Sequence, residues 1–247
     1  MMEILGCRLD PIDTDAATDA ITGFVRERRG AQIVTLGTEM VVYAQKDAAF
    51  RQIVNACTLS LCDTIGLLAV ARSRGASLRE RVTGVELIER IGARAASDGL
   101  RLFLLGGAPG IAQRAALTLQ TRYPHLQIAG ARDGYFADDE SVRVVEEIRA
   151  SGADVLFAGL GSPRQEVWLA RHLRATGCGA GIGVGGSFDV ISGNVRRAPV
   201  VWRRMGVEWL YRLIKEPKRW RRQLALPQFV YLIAAESMRS RFSKRRA

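Results

Sequence analysis

Short apolar runs recur along the chain, separated by longer stretches in which apolar positions return every three or four residues. The short runs lie at 32–36, 59–63, 100–105, 126–131, 154–160 and 178–184. They are rich in leucine and β-branched residues and show little alternation, the pattern of strands buried on both faces. The longer stretches, at 41–56, 85–97, 111–123, 141–150 and 166–175, carry helical spacing. Strand followed by helix, repeated, predicts an α/β fold: a mostly parallel sheet with helices on both faces. There is no internal repeat and no low-complexity linker. After Gly193 the character changes to arginine and tryptophan, NVRRAPVVWRRMGVEWLYRLIKEPKRWRRQ. A soft boundary near residue 195 separates an α/β domain, 1–195, from a basic helical appendage, 196–247.

Polar and glycine residues gather where the predicted strands stop: TLGTE at 35–39, CDTIG at 62–66, LGGAPG at 105–110, GLGSPRQE at 159–166 and GVGGSFD at 183–189. Ligands of open α/β sheets bind outside the carboxyl ends of the strands, so these five turns predict one crevice. Each has a plainer reading beside the functional one. Gly106, Gly107 and Gly110, with Pro109 placed to open a helix, suit a phosphate at a helix N-terminus; a tight strand-to-helix turn explains them equally. The spacing is not G-x-G-x-x-G and no acidic residue ends the following strand, which argues against a nicotinamide dinucleotide. Gly185 and Gly186 carry the same two readings. Asp63 is either a helix N-cap or a carboxylate at the ligand edge, placed as a general base. Arg164, Gln165 and Glu166 are either the wet first turn of a helix or groups facing a ligand. Asp13-Thr14-Asp15 has the spacing of a metal-binding pair, but capping of the following helix explains it better.

Composition narrows the class. The 247 residues are 48% hydrophobic and 25% charged, ordinary for one large α/β domain or two small ones. Cys7, Cys57, Cys62 and Cys178 have no framework spacing, and with only His125 and His172 no zinc site is expected. They are expected as reduced core residues of a cytosolic protein. The first residues lack the basic-then-apolar pattern of an export signal, and no apolar run approaches the roughly 20 residues that span a bilayer. Charge is uneven: residues 196–247 hold 15 Lys and Arg against 3 Asp and Glu, whereas the first 195 residues hold 21 against 22. Such a tail suits a polyanion. It is open to three readings: a solvated helix face, an RNA-binding patch in which Trp202, Trp209, Tyr211 and Trp220 stack bases, or an anion clamp on a pyrophosphate.

Taken in order, IVTLGTEMVVYA, LCDTIGLLAVAR, RVTGVELIERI, LFLLGGAPG, YPHLQIAGARDGYF, VLFAGLGSPRQEVWL, GIGVGGSFDVISGNVRRAP and GVEWLYRLIKEPKRWRRQ resemble the bacterial WecG/TagA/CpsF family of glycosyltransferases from about Gly6 to Gln223. The resemblance implies a Rossmann-like fold and an inverting, metal-independent, cofactor-free enzyme peripheral to the cytoplasmic face of the plasma membrane. The implied donor is a UDP-sugar of the N-acetylmannosamine, uronic acid or glucose type. The implied acceptor is a polyprenyl-pyrophosphate-linked saccharide in cell-surface polysaccharide synthesis, such as teichoic acid linkage units or exopolysaccharide. An anionic membrane surface is a further partner, nucleic acid is not, and a homo-oligomer stays open. Carried over, Asp63 is the catalytic base. Thr35, Arg81 and Gln165 surround the donor sugar and phosphates. Tyr135 and Asp189 fall at the nucleotide, with Gly106, Gly107, Gly185 and Gly186 in the turns beside it. Arg212, Arg219 and Arg222 reach the pyrophosphate. The chain departs from the family pattern at Gly37, usually Asn, where Thr38 is a candidate replacement hydroxyl, and at Thr64, usually Gly.

Overall fold

All six expected strands form and pair into one parallel sheet in the computed structural model, which describes residues 1–196 and 224–244, with residues 199, 202, 210, 211 and 213 between them. The chain opens with a small antiparallel hairpin, β1 (Met2–Ile4) and β2 (Cys7–Leu9), which the apolar pattern did not predict. Helix α1 (Thr14–Arg26) follows, then β3 (Ala31–Leu36), α2 (Thr38–Ala44), α3 (Ala48–Ala56), β4 (Leu59–Cys62), α4 (Ile65–Ser73) and α5 (Gly84–Asp98). The second half runs β5 (Arg101–Gly106), α6 (Ile111–Arg122), β6 (Gln127–Arg132), a 3-10 turn at Asp138–Glu140, α7 (Ser141–Ser151), β7 (Val155–Gly159), α8 (Arg164–Thr176), β8 (Ala180–Gly183) and α9 (Ser187–Ile191). A final helix, α10, spans Ala225–Lys244.

The sheet order is β4-β3-β8-β7-β5-β6. Alternate residues of each strand face opposite layers. Leu102 and Leu104 enter a core with α1, α5, α6 and α9, whereas Phe103 and Leu105 enter a core with α7 and α8. Val34 and Leu36 meet α2, α3 and α4 on that second side. Burial on both faces explains the continuous apolar runs, and each fully buried Leu or Phe contributes about 1.5–3 kcal/mol.

Local chemistry sets the helix ends. The predicted helix 41–56 is two helices, because Asp47 caps a fresh start by accepting the Phe50 N–H at 2.9 Å. Asp13 caps α1 by accepting the Ala16 N–H, and Asp15 pairs with Arg90 at 3.5 Å. The Asp13-Asp15 spacing is therefore capping, as expected. Thr83 caps α5, with Glu86 at the third helical position. All four cysteines are buried thiols.

Helix α10 packs against α2, with Phe229 only 3% exposed in the core that holds Val41 and Leu67. Arg74 of the α4 C-cap pairs with Glu236.

Candidate active site

At the carboxyl ends of the parallel strands lies a cleft of about 1070 Å³, and residues from all five polar turns line it. That volume is at the upper end for small-molecule sites. The topology accounts for its position. The connection after β5 leads through α6 outward to β6, while that after β7 leads through α8 the other way to β8. The switch between β5 and β7 opens the crevice.

Asp63 stands one residue past β4. Its N–H donates to the Leu36 carbonyl at 3.0 Å, which sets it beside Gly37 of the neighbouring turn. The Val82 N–H donates to the Cys62 carbonyl at 2.7 Å and brings Arg81 alongside. Both charges are felt at Cys62: burial first, and then the Asp63 carboxylate, push its thiol up to about 12, while Arg81 pulls it down. Asp63 is not the N-cap of α4; Thr64 holds that position, without a side-chain capping bond. The cap reading of Asp63 is thus corrected, and both Asp63 and Arg81 line the cleft.

Thr35 and Gln165 line the same cleft from β3 and α8, and both are bonded to the end of β8. The Thr35 hydroxyl donates to the Gly183 carbonyl at 2.8 Å. Gln165, 3% exposed, accepts the Gly185 N–H at 3.0 Å through Oε1 and donates from Nε2 to Glu166 Oε1 at 2.7 Å. Among the described residues, no further hydrogen bond takes up the Thr35 oxygen lone pairs or the second N–H of the Gln165 amide.

The rest of GSPRQE corrects its first-turn reading. Pro163 takes the N-cap position and α8 begins at Arg164. Glu166 is fully buried rather than exposed at the helix N-terminus. Arg164 does not stand free: it donates to the Gly134 and Phe136 carbonyls at 2.7 and 2.6 Å and stacks on the Phe136 ring. It thereby fixes the loop that carries Tyr135, which is 76% exposed at the cleft edge.

The two glycine turns enter differently. Gly107 lines the cleft, but Gly106 lies beneath it with φ +141°, and a Cβ there would come within 2.3 Å of the Gly159 carbonyl oxygen. It permits backbone contact between β5 and β7 and does not itself line the cleft. Pro109 does not open α6, whose first residue Ile111 follows Gly110 at φ +81°. Gly185, Gly186 and Asp189 all line the cleft.

Thr38 lines the cleft, and its methyl would sit 2.9 Å from a Cβ on Gly66. The departures Gly37 and Thr64 face each other, since a Cβ on Gly37 would meet the Thr64 methyl at 3.5 Å. Arg212, Arg219 and Arg222 lie outside the described residues. Among the described residues that line the cleft, Glu39, Asp63, Glu140 and Asp189 are acidic and only Arg81 and Arg164 are basic. Sequence reasoning missed several wall residues. Thr83 was signalled only by its capping box with Glu86, and Leu226, from the start of α10, had no local signal.

A family model described as "Glycosyl transferase WecG/TagA/CpsF family" matches residues 2–243. A protein of Bacillus spizizenii named N-acetylglucosaminyldiphosphoundecaprenol N-acetyl-beta-D-mannosaminyltransferase is 33% identical over 226 residues, 90% of this chain and 87% of its own.

Proposed function

The chain belongs to the WecG/TagA/CpsF family of glycosyl transferases, and we propose that it moves a sugar from a UDP-sugar to a polyprenyl-diphosphate-linked saccharide with inversion at the anomeric carbon. The observation that carries this reading is Asp63 on the wall of the cleft, next to Arg81 and at the carboxyl edge of the sheet. In this mechanism the Asp63 carboxylate takes the proton of the acceptor hydroxyl as that oxygen attacks the anomeric carbon. The bond from that carbon to the UDP β-phosphate oxygen breaks, and its electron pair leaves with UDP. Attack from the face opposite the leaving group inverts the centre.

The leaving diphosphate needs positive charge. The described wall holds more carboxylates than guanidinium groups, which favours a supply from the basic segment after residue 195, with Arg212, Arg219 and Arg222 as candidates. The proposal keeps the boundary between a catalytic domain and a basic appendage near residue 195. The name of the Bacillus spizizenii relative makes UDP-N-acetylmannosamine the first donor to test. Asp63→Asn is expected to lower transfer by roughly 10²–10⁴-fold while UDP affinity, measured by calorimetry, changes little. Turnover near wild type would remove Asp63 as the base.

For the membrane, the support lies in α10. Val230, Tyr231 and Met238 are exposed, and a basic cluster follows in sequence. No helix among the described residues is long and apolar enough to cross a bilayer. We place α10 on the surface of an anionic leaflet. Removing 196–247 would also uncover the α2 face that Phe229 covers, so the cleaner test is the double change Val230→Glu with Tyr231→Glu. Vesicle sedimentation should show binding to anionic liposomes weakened about tenfold or more. Unchanged binding would take α10 off the membrane.

A further inference from the structure

Glu166 is fully buried, two residues past Arg164, yet among the described residues it has no ion-pair partner. Gln165 Nε2 donates to its Oε1 at 2.7 Å, and Gln32 of β3 donates to its backbone carbonyl at 2.9 Å. Among the described residues, Oε2 makes no hydrogen bond of good geometry. Such a place favours the protonated form of a carboxyl, since burial penalises the charged form. Burial indeed pushes Glu166 above the usual carboxylate range, against the opposing contacts of Gln165 and Ser162.

Its position relative to the cleft gives this group a task. A carboxamide can be turned either way round, and what faces each end decides which. Here Glu166 offers a carbonyl-type acceptor to Nε2, so Oε1 is turned to the Gly185 N–H at 3.0 Å. The space for the pair comes from the adjoining strand. A Cβ on Gly183 would stand 2.8 Å from Gln165 Nε2 and 3.2 Å from Glu166 Oε1. Gly183 does not line the cleft, whereas Gly185, Gly186 and Asp189 do.

We infer that Glu166 is a positioning residue: as a neutral acid it fixes the Gln165 amide, which in turn holds the β8–α9 turn against the donor side of the cleft. The catalytic consequence rests on the glycosyl transfer proposed above, but the positioning can be read without it. Two variants separate the possibilities. Glu166→Gln keeps an acceptor and a neutral, hydrogen-bearing group at the same places, and Glu166→Leu keeps only the volume. Hydrogen exchange of ligand-free protein, followed in the peptide spanning 183–189, should be like wild type in Glu166→Gln and faster in Glu166→Leu by about tenfold, the worth of one lost hydrogen bond. UDP affinity should follow the same order, with KM for the donor raised about tenfold and kcat little changed. Gly183→Ala, which pushes on the pair from β8, should reproduce the Leu result and serves in its place if Glu166→Leu does not fold.

Unchanged exchange in Glu166→Leu or, failing that variant, in Gly183→Ala would overturn the inference. So would a Glu166→Gln protein as loose as Glu166→Leu, because the carboxylate charge would then be required. A wild-type protein that binds no UDP would sink the proposed function and leave the exchange result standing.

Discussion

The two glycine turns of the cleft look alike in sequence and are built on different principles. At the end of β5, LGGAPG brings backbone onto backbone: Gly106 lies against Gly159 with no room for a side chain. At the end of β8, GVGGSF is held by side chains from its neighbours, Thr35 below it and Gln165 beside it. The first turn is a matter of contact distance. The second is a matter of hydrogen bonds whose donors and acceptors come from other strands and helices. A glycine-rich strand end therefore says little about its role until what surrounds it is known.

This difference should appear as a ranking of effects. Gly106→Ala is expected to be the most damaging change, because its Cβ meets the Gly159 carbonyl at 2.3 Å and its φ is +141°. A loss of about 3 kcal/mol or more is expected in denaturant unfolding, or failure to fold. An Ala variant of ordinary stability would show that the β5 turn is not fixed by close approach.

A second effect belongs to the β8 side alone. Glu166 is raised above its ordinary value of 4.5, chiefly by burial. The groups acting on it, Gln165, Ser162 and the backbone, are uncharged. The folded state therefore keeps a proton that the unfolded chain gives up near pH 4.5. The stability from this group is fully present below about pH 4.5 and is lost as pH rises through the raised folded value. The melting temperature of wild type should fall relative to that of Glu166→Gln over that interval. Parallel curves would mean that Glu166 does not titrate as a buried acid.

The smallest effect should come from Gly185→Ala. Its φ is +53°, but a Cβ there would meet nothing within 4 Å, so only the backbone cost of about 1 kcal/mol is expected. A loss as large as that of Gly106→Ala would erase the distinction between the two turns.

The sheet was legible because its strands are buried on both faces, which makes them continuous apolar runs. The hairpin of β1 and β2 was not, because each strand has three residues and its Leu5-Gly6 turn places a leucine at φ +50°. The break between α2 and α3 was written in Asp47, but the apolar spacing ran across it. The five polar strand ends, and with them Thr35, Asp63 and Gln165, were legible because the strand register delivers them to one edge. Glu166 was not. Its burial depends on the missing side chain of Gly183, seventeen positions away at the end of β8. Arg164 likewise answers to carbonyls at 134 and 136 that nothing near it in the chain announces.

The order of the strands has a consequence for how the molecule is made. Within the sheet of the described residues, β4 and β3 form one pair and β7, β5 and β6 another group, and β8 joins them. It is also the last strand of the sheet to leave the ribosome. Until residues 180–183 arrive, Asp63 and Thr35 belong to one fragment and Gln165 to another, with no ladder between them. These late, long-range pairings are of the kind that slows folding. β8 is thus a keystone, and its end is where Thr35 from one fragment and Gln165 from the other take hold. The nascent chain can have no assembled cleft before its final strand is in place, and closing the sheet and completing the cleft are a single event.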